Sequence, residues 1–234
     1  MLNTCLAQTI KTQAAKTQLN PNEKLFNAKK YQLDSAFNKV LIIDKKFDVR
    51  FYRCADTTSD REGALAIEIN DADTKTIAYS HTFQENQYAL YKKSGLRLDA
   101  LGVLYLELVF DGGGSGYSGT LYQINIQGNT IAPIEILHYG ELSAYLFSKS
   151  NNDILLFNGI WGSAEDESHF SDHLYTVTKY SFEGLLMRRQ LLGTTQKKYE
   201  SVSDNKTFLA TAKEIQQREP KLLRNIDLPD FEGF

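Results

Sequence analysis

Two stretches of this 234-residue chain gather side chains that can hold an ion or move a proton. The first is Glu165-Asp166-Glu167-Ser168-His169-Phe170-Ser171-Asp172-His173, with four carboxylates and two of the chain's four histidines. Coiled as a helix, His169 and His173 would share one face, as a zinc site requires. Asp166 and Asp172 would add oxygen donors, so Asp166, His169, Asp172 and His173 form the metal candidate, for calcium or zinc. The Glu of His-Glu-x-x-His is missing, because Phe170 stands in its place. The plainer reading is a solvated acidic loop with no cofactor, and calcium is the ion weighed beside it.

The second stretch is Asp111-Gly112-Gly113-Gly114-Ser115-Gly116-Tyr117, with four glycines in six residues. No Gly-Lys-Ser/Thr follows, so it is not a P-loop. Tyr117 stands where the last Gly of Gly-x-Ser-x-Gly belongs, so it is not a nucleophile elbow. A hairpin connection is the plain reading, and a loop that lets a partner approach the backbone closely is the functional one. The sole tryptophan, Trp161, precedes the acidic loop in Asn158-Gly159-Ile160-Trp161-Gly162. It reads first as a core plug and next as an exposed anchor. The partner-binding candidates are therefore Asp111, Gly113, Gly114, Tyr117, Trp161, Glu165, Asp166 and Glu167.

No order or spacing selects a Ser, His and carboxylate set or a glycosidase carboxylate pair, so the chain reads as a binding protein before an enzyme. The 26 Lys and Arg against 29 Asp and Glu leave a net charge of −3 with no dense basic run, which argues against a nucleic-acid partner. No apolar run reaches the roughly 20 residues a membrane span needs. The strongest, 98–110, is broken by Asp99, Gly102 and Glu107. Arg188-Arg189 and Lys197-Lys198 flank the apolar run 185–192 and read as a solvated edge that discourages sheet aggregation.

Something must position these loops, and the chain offers strands. Thirteen Tyr and thirteen Phe with only four Pro suit pleated surfaces. Short apolar runs separated by turn clusters predict strands at 40–43, 48–53, 64–69, 76–81, 88–91, 103–110, 120–126, 134–138, 144–148, 153–158, 174–182 and 185–192. Residues 208–224 fit either a helix stopped by Pro220 or a last strand at 207–212.

An internal repeat is visible. Leu104 to Phe110, a loop and Leu121-Tyr122-Gln123-Ile124 match Ile154-Leu155-Leu156-Phe157, a longer loop and Leu174-Tyr175-Thr176-Val177. Residues 49–53 and 65–69 supply a third copy. The stretch Phe110 to Tyr117, followed by Leu121-Tyr122-Gln123-Ile124, resembles the loop-and-strand pattern of FG-GAP and VCBS-type propeller repeats. The resemblance spans fifteen residues and lacks the spaced Asp ladder of the calcium-binding versions. The expected fold is all-β and mainly antiparallel, β-propeller-like or a twisted-sheet or sandwich array of about three to four four-stranded units, with minor helix at the termini. Residues 1–30 are expected to be a polar lead-in and 31–234 a single β-rich domain.

Cys5-Leu6-Ala7 before Gln8 fits the end of an export signal, which points to the periplasm or exterior of a bacterium. Cys5 and Cys54 cannot build a disulfide framework, and Cys54 is expected to be buried and unpaired. Together these features predict a non-enzymatic exported protein with a protein partner, in the manner of an inhibitor or immunity protein. The alternatives are a hydrolase with its site in a cleft of the array and a calcium-ordered adhesion module.

Overall fold

The computed structural model describes residues 31–54, 65–83, 89–90, 94–99, 102–111, 117–127, 129–149, 153–162, 171–183, 186–201 and 205–229. The lead-in 1–30 and Cys5 lie outside these residues.

Three antiparallel sheets follow one another along the chain. Sheet A is β1 (Tyr31–Ile42), β2 (Lys45–Cys54), β3 (Leu65–Asp71) and β4 (Ile77–Phe83), in that order. Sheet B contains β5 (Ala89–Leu90), β6 (Gly95–Leu98), β7 (Leu104–Asp111), β8 (Tyr117–Gln127) and β9 (Thr130–Tyr139). Both β5 and β6 pair with β7, one at each of its ends, so they share the first of four strand positions. Sheet C is β10 (Ser143–Phe147), β11 (Ile154–Ile160), β12 (Leu174–Glu183) and β13 (Leu186–Thr194). The expected array of four-stranded units is therefore present in three copies. The strand pairs that carried the internal repeat, β2 with β3, β7 with β8 and β11 with β12, hold the second and third positions of their sheets.

The strands differ from the sequence expectation in two places. The run 40–43 is only the end of a twelve-residue β1. Register shifts between Leu33 and Ser35 and between Phe37 and Val40 break the alternation that would reveal the rest. The four-residue β6 went unseen because Gly95 and Arg97 interrupt its apolar content.

The described residues divide into two compact units, one ending at His138 and the other starting at Tyr139. In the first, sheets A and B share one core. Phe47, Val49 and Phe51 of β2 and Leu65, Ile67 and Ile69 of β3 meet Leu104, Leu106 and Leu108 of β7, with Ile124 and Ile131. Alternate residues of each strand point the same way, so one face of each sheet builds this core. Phe110 is partly buried against it. The opposite face of β7 is buried too, with Tyr105 and Val109 beside Glu107, whose carboxylate pairs with Arg97. A carboxylate so enclosed needs that cation, because burial without a partner would be costly.

A polar link also ties sheet A to sheet B. Arg53 of β2 donates to Asp34 of β1 at 2.6 Å and to the Ser94 carbonyl beside β6. Ser94 is buried, and its hydroxyl accepts from the Val109 amide at 2.8 Å.

In the second unit, α1 (Asn205–Arg218) lies on sheet C. Phe208, Leu209, Ala212 and Ile215 recur at helical spacing and bury that face against Leu155, Phe157, Tyr175 and Val177. Phe208 meets Phe157 edge to face, with ring centres 5.1 Å apart. Of the two readings of 208–224, the helix is the one formed, and it stops before Pro220, which cannot continue it. Leu222, Leu223, Ile226 and Leu228 then extend the core as an irregular tail. The Lys149 amide pins that tail by donating to the Asp227 carbonyl at 3.0 Å.

Glu219 secures the turn after β13. Its carboxylate accepts from the Gln196 amide at 2.9 Å, the Lys197 amide at 3.2 Å and the Tyr199 hydroxyl at 2.8 Å. No described helix is long and apolar enough to cross a membrane.

Candidate partner-binding surface

The candidate residues fall on the connections between the second and third strands of sheets B and C. In sheet B, Asp111 and Tyr117 form the last backbone pair of β7 and β8 and so close a five-residue connection. Gly113 and Gly114 lie within that connection, outside the described residues. In sheet C, β11 is buried from Ile154 to Phe157 and then emerges, so that Ile160 is 37% and Trp161 45% exposed. The expectation of a core plug at Trp161 gives way to a half-exposed ring. The cause is the length of β11, whose last pair, Ile160 with Leu174, already lies beyond the core.

Trp161 is held from behind. The His173 ring meets it edge to face at 5.6 Å, and His173 is fully buried. The backbone of His173 exchanges two 2.8 Å hydrogen bonds with Tyr199, which ties the return into β12 to the segment after β13. Tyr175 adds a 3.0 Å hydrogen bond from its hydroxyl to the Glu200 carbonyl. One edge of the indole is thus fixed, and the residue as a whole is half-exposed.

The metal candidate divides across this boundary. Asp172 is exposed and His173 is buried, so these neighbours point to different environments. Asp166 and His169 lie outside the described residues, as do Glu165 and Glu167. Among the described residues, no group of three or more His, Cys, Asp and Glu side chains converges as a metal ion would need.

Thr120 and His138, on neighbouring strands of sheet B, lie 3.0 Å apart from Oγ1 to Nδ1. The contact satisfies the buried Thr120 hydroxyl. Sequence reasoning missed Ile160 as a neighbour of the aromatic anchor, although its place in the Gly159-Ile160-Trp161-Gly162 run was a signal. It also gave no hint that Leu186 and Leu191 would be among the most exposed large apolar side chains described.

No family model matches this chain, and no curated protein or solved structure matches it either.

Proposed function

We propose that this chain is a non-enzymatic binding protein that contacts another macromolecule through loops, chiefly the connection between the second and third strands of sheet C. The observation that supports it best is Trp161, a half-exposed indole braced by a buried histidine at the start of an acidic loop. Aromatic side chains fixed in this way give large contact area at little entropic cost and dominate interface energetics. Glu165, Asp166 and Glu167 beside it would steer a basic surface during encounter. The glycines after Asp111 would let a partner come close to the backbone.

A partner with a basic cleft fits this reading, so its concrete form is an exported bacterial inhibitor or immunity protein that covers the active site of a toxin or hydrolase. Affinity capture from the native organism, followed by mass spectrometry, would supply the partner. With that partner in hand, replacing Glu165, Asp166 and Glu167 by Lys should slow association and weaken its salt dependence. Trp161→Ala should mainly speed dissociation. Parental affinity in both variants would refute the reading.

A further inference from the structure

β13 is the outermost strand of sheet C, and among the described residues no strand pairs with its outer side. Its far end is covered, since Leu192 packs on the core and Leu222 Cδ1 lies 3.0 Å from where a Cβ on Gly193 would be. Residues 186–191 differ. They keep an unbroken register against β12, and the one register shift falls beyond them, between Val177 and Thr178. Leu186 is 62% and Leu191 65% exposed, with Arg188, Arg189 and Gln190 exposed between them.

Charged residues on an edge strand ordinarily guard it against pairing. An edge built only to be avoided gains nothing from two leucines left in water, one on each face. Alternation puts Leu186 and Arg188 on one face and Arg189 and Leu191 on the other. A second copy is a poor occupant, because a two-fold antiparallel pairing centred on this run would set Arg188 against Arg189, and like charges directly opposite destabilise a strand pair.

We propose that the outer edge of β13 docks an extended segment of another protein, which adds as a fifth strand to sheet C. Its chemistry follows residue by residue from 186–191: an aliphatic opposite Leu186, adjacent carboxylates opposite Arg188 and Arg189, and an aliphatic opposite Leu191. Main-chain hydrogen bonds supply affinity, and the arginine pair with its flanking leucines supplies selectivity. The pattern is symmetric, so it serves a segment of either direction. It takes a partner of opposite charge to the one proposed above.

The probe is the end-blocked peptide Thr-Val-Thr-Glu-Glu-Thr-Leu-Thr, titrated into the full chain with amide hydrogen exchange as the readout. The expected result is saturable binding that slows exchange across residues 186–191 and weakens with salt. Binding should fall about tenfold or more in the double variant Arg188→Glu, Arg189→Glu, whose exposed positions leave the circular dichroism spectrum unchanged. Replacing the two glutamates of the peptide by lysines should remove binding, as should N-methylating its backbone. No protection of 186–191 at millimolar peptide would overturn the proposal. So would equal binding of the lysine peptide, or concentration-dependent self-association that protects the same amides.

Discussion

The amide of Gly159 donates to the carbonyl of Leu142 at 2.9 Å, and a Cβ added at 159 would lie 2.8 Å from both that oxygen and the Leu142 Cβ. Leu142 itself holds a left-handed φ of 59° and is buried, so it has little room to retreat. The contact sets the entry into β10 against the exit of β11, two residues before Trp161. Gly159→Ala should therefore destabilise the second unit by about 1 to 3 kcal/mol through overpacking. Thermal unfolding followed by circular dichroism checks this, and a melting temperature equal to the parent's would show that the turn yields freely.

Cavity-forming changes test the two units separately. Leu106 is fully enclosed between sheets A and B, and Leu156 is 2% exposed in sheet C. Substituting either by Ala should cost about 2 to 5 kcal/mol, because lost methyl burial adds to the cavity left behind. Denaturant titration reads the change as a lower midpoint.

The β1–β2 hairpin carries a correctable strain. Ile43 opens a two-residue turn with φ at 61° and is 61% exposed. A β-branched residue is an outlier there, whereas Asn or Gly tolerates the conformation. Ile43→Asn should stabilise the chain by about 1 kcal/mol, with the gain visible as a raised melting temperature.

Alkaline pH should loosen the packing around Tyr199 and Tyr79. Burial, helped by the Glu219 carboxylate, pushes the Tyr199 hydroxyl from 10.0 up to about 12, and burial beside Tyr122 does the same for Tyr79. Both hydroxyls hold their protons more tightly folded than unfolded, so their contribution is complete below pH 10 and is lost as pH rises towards 12. Glu219→Gln removes the neighbouring charge and should bring the Tyr199 transition to lower pH. Ultraviolet titration of tyrosinate in the variant and the parent measures that movement.

Metal addition gives a further check. With His173 buried against Trp161 and Asp172 in solvent, these neighbouring side chains are not disposed to ligate one ion. The melting temperature of chelator-treated protein should stay constant on adding calcium or zinc. A rise that disappears in the double variant His169→Ala, His173→Ala would instead establish a zinc site, because a ligand that binds only the folded state raises its stability by mass action.

Most of the architecture was legible locally. The alternation in Leu104-Tyr105-Leu106-Glu107-Leu108 declares a strand, because side-chain period follows from backbone geometry, whereas residues 208–224 fit a helix or a strand equally until Phe208, Ala212 and Ile215 pack on sheet C. The repeat likewise located the middle strands of all three sheets, since each unit must bury the same faces. Exposure was a different matter. Whether Trp161 fills the core or meets solvent depends on how far β11 outruns its neighbours. Arg188 and Arg189 are exposed on the edge strand β13, as their clustered charge implies, whereas the exposure of Leu186 and Leu191 beside them depends on what pairs beyond β13. His173 became a brace instead of a surface ligand because Tyr199, far along the chain, pairs with its backbone. Periodicity along the sequence fixes which residues share a face. Only the meeting of distant segments decides which faces are covered, because burial is a property of the neighbours a residue acquires on folding.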